Sequence, residues 1–194
     1  PFWDYIVKLA RVSYQDIGFD ELNFDYIRFP SDGPLKDARY TYDEGTTKTE
    51  AVESFFKYLH TQLQPEGAIV GKNAPLMSAD MFGMVSSHHD DLGIGQVLDS
   101  ALPYFDFIDP MIYPSHYPAG FDGYTQVNAH VYDIVFNEMK AARARAVEAG
   151  YAPTKIRPWL QSFDYPVVYT PEMVQQQLTA EHDAGIDSYL FWDA

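Results

Sequence analysis

Glu21-Leu22-Asn23-Phe24-Asp25-Tyr26-Ile27-Arg28-Phe29-Pro30-Ser31-Asp32-Gly33 reads as a strand that runs into a stop. Leu22, Phe24 and Tyr26 alternate with polar or acidic neighbours at the period of two that a pleated strand imposes. Pro30-Ser31-Asp32-Gly33 is a turn cluster. A strand over Glu21–Phe29 would put Asp25, Ile27 and Phe29 on one face and Tyr26 and Arg28 on the other. Upstream, a helix from about Asp4 to Asp16 closes at Gly18 as its C-cap. Downstream, a polar loop to about Thr46 leads to a helix over Thr47–Gln64. Val52, Phe55, Phe56, Leu59 and Leu63 fall on one face of that helix, and Pro65-Glu66-Gly67 ends it.

The cycle then recurs along the chain. Strands are expected at Leu76–Phe82, Phe107–Tyr113, Ile156–Phe163 and Ser188–Trp192. Helices are expected at Gly95–Leu102, at Gln126–Ala149, and from Thr170-Pro171 to Ala184-Gly185. In the long helix Val127, Val131, Val135, Met139 and Ala142 form the inner stripe. Strands alternating with helices of this length imply βαβ crossovers, hence an α/β fold with a parallel sheet. An eight-unit barrel takes about 200 to 250 residues. The 194 residues here supply five strands, so the expectation is one domain over 1–194 that forms part of a (β/α)₈ barrel without its first three strands. Five parallel strands leave two open edges. Self-association through them, or a further N-terminal segment that supplies the missing strands, is expected to cover them.

Composition removes several function classes. The net charge of −15 repels a phosphate backbone and leaves no cationic stripe, so nucleic acid is not an expected partner. No apolar run approaches the roughly 20 residues of a membrane span. Cysteine is absent, which excludes disulfides, thiolate metal sites and a cysteine nucleophile and fits either redox compartment. No nucleophile elbow, phosphate loop or dinucleotide fingerprint is present, and no cofactor or metal is expected. His88-His89-Asp90-Asp91 lacks metal-ligand spacing and reads as a solvated loop. Aromatic residues make up 16% of the chain, many of them beside Pro, Gly, Ser or Asp, where a ring can stack on a sugar.

In parallel α/β folds the site lies at the C-terminal ends of the strands. Those ends are acidic and aromatic here. An Asp inside a buried strand costs several kcal/mol unless it is paired or faces a cleft, and Asp25 and Asp80 occupy such positions in consecutive strands. Glycoside hydrolysis calls for two carboxyl groups flanking the scissile bond. The alternative is structural, with Asp25 paired to Arg28 and Asp80 capping a loop.

Gly18-Phe19-Asp20-Glu21 continuing through Gly33 resembles the signature of a bacterial family of proposed glycosyl hydrolase domains. So do Ala79-Asp80-Met81-Phe82-Gly83, Leu92-Gly93-Ile94-Gly95-Gln96, Asp109-Pro110-Met111-Ile112-Tyr113-Pro114-Ser115-His116-Tyr117, Arg157-Pro158-Trp159-Leu160-Gln161 and Leu190-Phe191-Trp192. The resemblance covers nearly the whole chain and matches the later part of the family. It implies a TIM barrel distantly akin to the α-amylase-like glycosidases, in which a nucleophilic Asp ends the fourth strand and the acid ends the fifth. Carried over, Asp25 is the nucleophile and Asp80 the general acid/base. Arg28 is then the neighbour that holds Asp25 ionised. The acid of that group is normally Glu, and a shorter Asp widens the gap towards an inverting geometry. Asp193 stands where the family pattern has Asn, and a structural role is expected for it.

Asp109 is a third candidate carboxylate. Tyr113, His116, Tyr117, Trp159, Gln161 and Trp192 complete the expected sugar-contacting set. The sequence therefore points to a glycoside hydrolase of a polysaccharide or oligosaccharide, retaining in mechanism and acting outside the cytoplasm. The rival is a carbohydrate-binding or scaffold module on the same fold.

Overall fold

In a computed structural model that describes residues 2–40 and 45–193, five parallel strands run in the order β1-β2-β3-β4-β5. They are β1 (Glu21–Phe24), β2 (Leu76–Phe82), β3 (Phe107–Ile112), β4 (Trp159–Gln161) and β5 (Leu190–Trp192). The helices are α1 (Phe2–Arg11), α2 (Lys48–Leu63), α3 (Leu98–Ala101), α4 (Val131–Glu148) and α5 (Pro171–Asp183). The sheet curls into a half-barrel with the helices on one side, the partial α/β barrel expected. Residues 41–44 of the polar loop before α2 lie outside the described residues. No helix among the described residues is long and apolar enough to cross a membrane.

Local signals start and stop these elements. Thr47 and Glu50 form a capping box: the Thr47 hydroxyl accepts from Glu50 N at 3.2 Å while Glu50 Oε2 accepts from Thr47 N at 2.7 Å. Thr170 caps α5, with Pro171 in its first turn where no amide donor is needed. Gly18, at φ 92°, accomplishes the left-handed exit after α1 and a wider π turn over Val12–Ile17. Core side chains sit between sheet and helices. Leu22, Phe24, Met77, Ala79, Met81, Ile108, Ile112 and Leu160 of the strands pack against Phe56, Leu59, Ile134, Val135 and Met139 of α2 and α4.

Several elements are shorter than the sequence pattern indicates. The long helix begins at Val131 rather than Gln126, with Val127–Ala129 in a 3₁₀ turn. The strand expected over Ile156–Phe163 holds only Trp159–Gln161. The largest difference is in β1, which ends at Phe24 rather than Phe29. Tyr26 takes a left-handed φ of 58°, Asp25 Oδ1 accepts from its amide at 2.6 Å, and Arg28 N turns back to Tyr26 O at 2.9 Å. Period-two alternation therefore stops at Phe24, and Asp25 follows the strand instead of lying buried within it.

Because β1 stops early, the β1-facing edge of β2 has no strand beside it past Ala79. A side-chain amide takes that place. Gln96, 1% exposed, donates to Asp80 O at 3.2 Å and accepts from Phe82 N at 2.9 Å. The same device recurs beyond the end of β3, where buried Gln177 of α5 accepts from Gln161 N at 2.8 Å and donates to Gln161 O at 2.7 Å. Each glutamine satisfies one backbone donor and one acceptor that burial would otherwise strand.

Gln96→Leu should therefore remove about 1–3 kcal/mol of stability per stranded backbone group, read from urea unfolding. A loss within a few tenths of a kcal/mol of zero would mean that water or a shifted loop replaces the amide.

Candidate functional site

The register sets Asp80 beside Asp109 and Phe24 opposite Ala79, and Asp25, which follows β1, lies near enough to Asp80 to act on it with its charge. Ile108 bridges Ile156, which brings Arg157 alongside Asp109.

Two layers of interaction support these acids. Arg157 donates to Asp109 through Nε at 3.2 Å and Nη2 at 2.7 Å, and to Glu21 through Nη1 at 3.0 Å and through Nη2. Ser78 Oγ donates to Glu21 at 2.6 Å. Asn23 Nδ2 bridges two acids, reaching Asp80 Oδ1 at 3.0 Å and Asp109 Oδ2 at 3.3 Å. Trp159 Nε1 donates to Asp80 Oδ1 at 2.7 Å.

Environment separates the acids. The Arg157 guanidinium holds Glu21 below the usual carboxylate range. Burial pushes Asp80 up to about 6, against the pull of the Trp159 and Asn23 donors and with a further push from the charge of Asp25. Complete burial raises Asp109 as well, despite Arg157. Asp25 is exposed. The site thus holds two buried acids, Asp80 and Asp109, that keep their protons towards neutral pH beside an exposed carboxyl at the strand mouth.

The remaining expected residues scatter around these acids. Arg28 lies 4.1 Å above the Tyr26 ring and 4.6 Å from that of Phe82, and donates to Phe29 O at 3.0 Å. Among the described residues it makes no ion pair with Asp25. Tyr113 is buried at the end of β3 with its hydroxyl raised, first by burial and then by the charges of Asp80 and Asp25. It packs edge-on against His116 and Phe163, and His116 touches Tyr165. Burial lowers the His116 imidazole and so favours its neutral form. A pocket of about 110 Å³ opens one row beyond the carboxylates, lined by Phe82, Met84, Met111, Tyr113 and His116.

Tyr117 also borders that pocket, but its hydroxyl points at Glu138 of α4, 3.4 Å away, and it packs on Phe121. Gln161 is fully buried, and its amide is committed to Ser115 Oγ at 2.8 Å and Phe163 O at 3.0 Å. Trp192 is half exposed and meets Trp159 edge-on at 5.9 Å. Asp193 is exposed after β5. His88 and His89 lie in an exposed loop, whose start Arg145 of α4 ties down through the carbonyls of Ser86 and His88.

Sequence reasoning missed Glu21, Asn23 and Arg157. Their signal was present: Glu21 and Asn23 share the face of Asp25 at period two, and Arg157 precedes Trp159 by two.

A half-barrel with clustered acids at the C-terminal strand ends is the arrangement of an α/β barrel with a strand-end site. The chain belongs to the family described as "Putative glycosyl hydrolase domain", whose model matches residues 1–194. Among solved structures it is similar to the glycoside hydrolase domain of PgaB (BpsB) from Bordetella bronchiseptica. That similarity has a TM-score of 0.50 at 15% identity over 74% of this chain and 37% of that one, and is a likeness of fold. The chain thus corresponds to well under half the length of that structure. No curated protein matches.

The raised Asp80 carboxyl has a stability consequence. Below about pH 4 it is protonated in both folded and unfolded chains, since its ordinary value is 3.8. As pH rises towards 6 the unfolded chain ionises first, so wild type loses on the order of 2–3 kcal/mol and the loss levels off above that. Asp80→Asn does not titrate there. Its stability relative to wild type should climb between pH 4 and pH 7 in urea unfolding. A difference that stays flat over that range would show that Asp80 has an ordinary carboxyl.

Proposed function

We propose that the chain carries the catalytic carboxylates of a glycoside hydrolase that cleaves a polysaccharide or oligosaccharide outside the cytoplasm, with Asp80 as general acid/base and Asp25 as nucleophile. The observation that carries this reading is the contrast between two neighbouring acids. Asp80 on β2 is a buried carboxyl pushed up to about 6, and Asp25, just past β1 and near enough to act on it with its charge, is exposed at the strand mouth. Paired carboxyls with divergent surroundings are the arrangement that assigns acid and nucleophile in glycosidases. Family membership and the exposed rings of Tyr165 and Trp192, which offer flat faces to a pyranose, support it.

In the first half-reaction Asp80 gives its proton to the glycosidic oxygen while Asp25 attacks the anomeric carbon, and the sugar is held as an ester on Asp25. Water then attacks that carbon as the ester bond breaks and returns the electron pair to the Asp25 carboxylate, and Asp80, now a carboxylate, takes a proton from the water. Asp109, beside Asp80 and held by Arg157, supports the pair.

A polysaccharide panel supplies the substrate on which the full-length protein is tested. On it, Asp25→Asn should lose activity by about 10³-fold or more and Asp80→Asn by about 10²–10⁴-fold, with fold retained. Because Asp80 must be protonated to act, kcat/KM should fall as pH rises through about 6. Either variant keeping a tenth of wild-type turnover would remove that residue from the mechanism. Binding to the panel with no release of sugar would favour a binding module.

A further inference from the structure

The Asp80 carboxyl is gripped by one oxygen. Asn23 Nδ2 at 3.0 Å and Trp159 Nε1 at 2.7 Å both donate to Oδ1, and among the described residues no donor meets Oδ2. An indole N–H only donates, so the oxygen it meets must accept. In a protonated carboxyl the accepting oxygen is the carbonyl, and the proton sits on the other. We propose that Trp159 and Asn23 are positioning residues that fix Oδ1 of Asp80 as the carbonyl oxygen and leave Oδ2 as the oxygen that carries and delivers the proton.

The inference rests on the reading of Asp80 as the acid. On delivery the Oδ2–H bond breaks and a bond from hydrogen to the glycosidic oxygen forms. The electron pair of the cleaved carbon–oxygen bond stays on the departing sugar. The negative charge left on Asp80 then meets the same two donors, whose bonds strengthen because their acceptor is ionised. One pair of donors therefore orients the acid and stabilises its conjugate base. This assigns Trp159 a role through its N–H, where a tryptophan at a strand end would otherwise be read as a stacking face.

Several other groups face Asp80. Asp25 follows β1 and Asp109 lies on β3, Arg157 precedes β4 and touches Glu21 of β1, and Tyr113 closes β3. Asn23 touches both Asp80 and Asp109, whereas the hydrogen bond of Trp159 goes to Asp80 alone. That asymmetry makes the two donors separable.

The experiment is an NMR titration of the intact chain with isotope-labelled aspartate carboxyl carbons and tryptophan indoles, which needs no substrate. In wild type the Trp159 indole proton, one of three in the chain, should move with the midpoint at which Asp80 ionises. Trp159→Phe should raise the Asp80 midpoint by about one pH unit, a tenfold change in its dissociation constant, and leave Asp109 in place. Asn23→Ala should raise both midpoints. A Trp159 indole signal that stays flat through the Asp80 titration overturns the proposal even if the Trp159 variant does not fold. So does an unchanged Asp80 midpoint in a folded Trp159→Phe. Should the titrations behave as expected while no polysaccharide is hydrolysed, the grip on Asp80 stands and the hydrolase reading fails.

Discussion

Arg157 reaches across the concave face from the approach to β4 to Glu21 at the start of β1. In a flat sheet these positions would lie three strand spacings apart, about 14 Å, so the contact exists because the sheet curls. The guanidinium side chain is 11% exposed and that of Asp109 is fully buried, so each charge depends on its partners to offset lost hydration. The ring of Phe107 lies 4.3 Å away and closes off a further side of the guanidinium. Curvature and charge pairing are thus one arrangement: a flatter sheet would leave Glu21 without its cation, and the loss of Arg157 would leave two acids facing each other.

Burial, more than the cation, sets the state of the inner acids. The donors of Arg157 are committed to Glu21 and Asp109, and Asp80 is left with two neutral partners, an amide and an indole. Burial prevails over both kinds of donor: Asp80 is pushed up to about 6 and Asp109, despite its guanidinium, to about 7. Only the half-buried Glu21 is held low by the same cation.

Much of the fold was legible because apolar periodicity and caps are local. The stripe Val131, Val135, Met139 and Ala142, the helix start at Thr47 and the Thr170-Pro171 start all describe real helix faces and ends. What escaped was set by contacts far along the chain. The alternation of Glu21–Phe29 gives no warning that Tyr26 turns left-handed, because that turn is stabilised by Asp25 and by Phe29 pairing with Ile94. Asp25 is thus exposed after the strand and bears no cost of burial within it, while Asp80 and Asp109 do lie side by side. Asn23 and Arg157 stood in quoted motifs without a site role although they are hydrogen-bonded to the acids, since pairing across strands depends on a register that one sequence does not state. Gln161 shows the converse: a polar residue at a strand end was read as a sugar contact, and its amide is occupied by Ser115 and Phe163.

The two glutamines that finish the ladders of β2 and β4 separate the rim of the barrel from its wall. Where backbone pairs with backbone, moving a loop means shifting a strand. Where Gln96 and Gln177 stand in, the last rungs beside β2 and β4 are made by a side chain and not by a strand. The wall can therefore stop short at β1 and at β3 without an open donor or acceptor at either place, and strands of unequal length still share one satisfied edge.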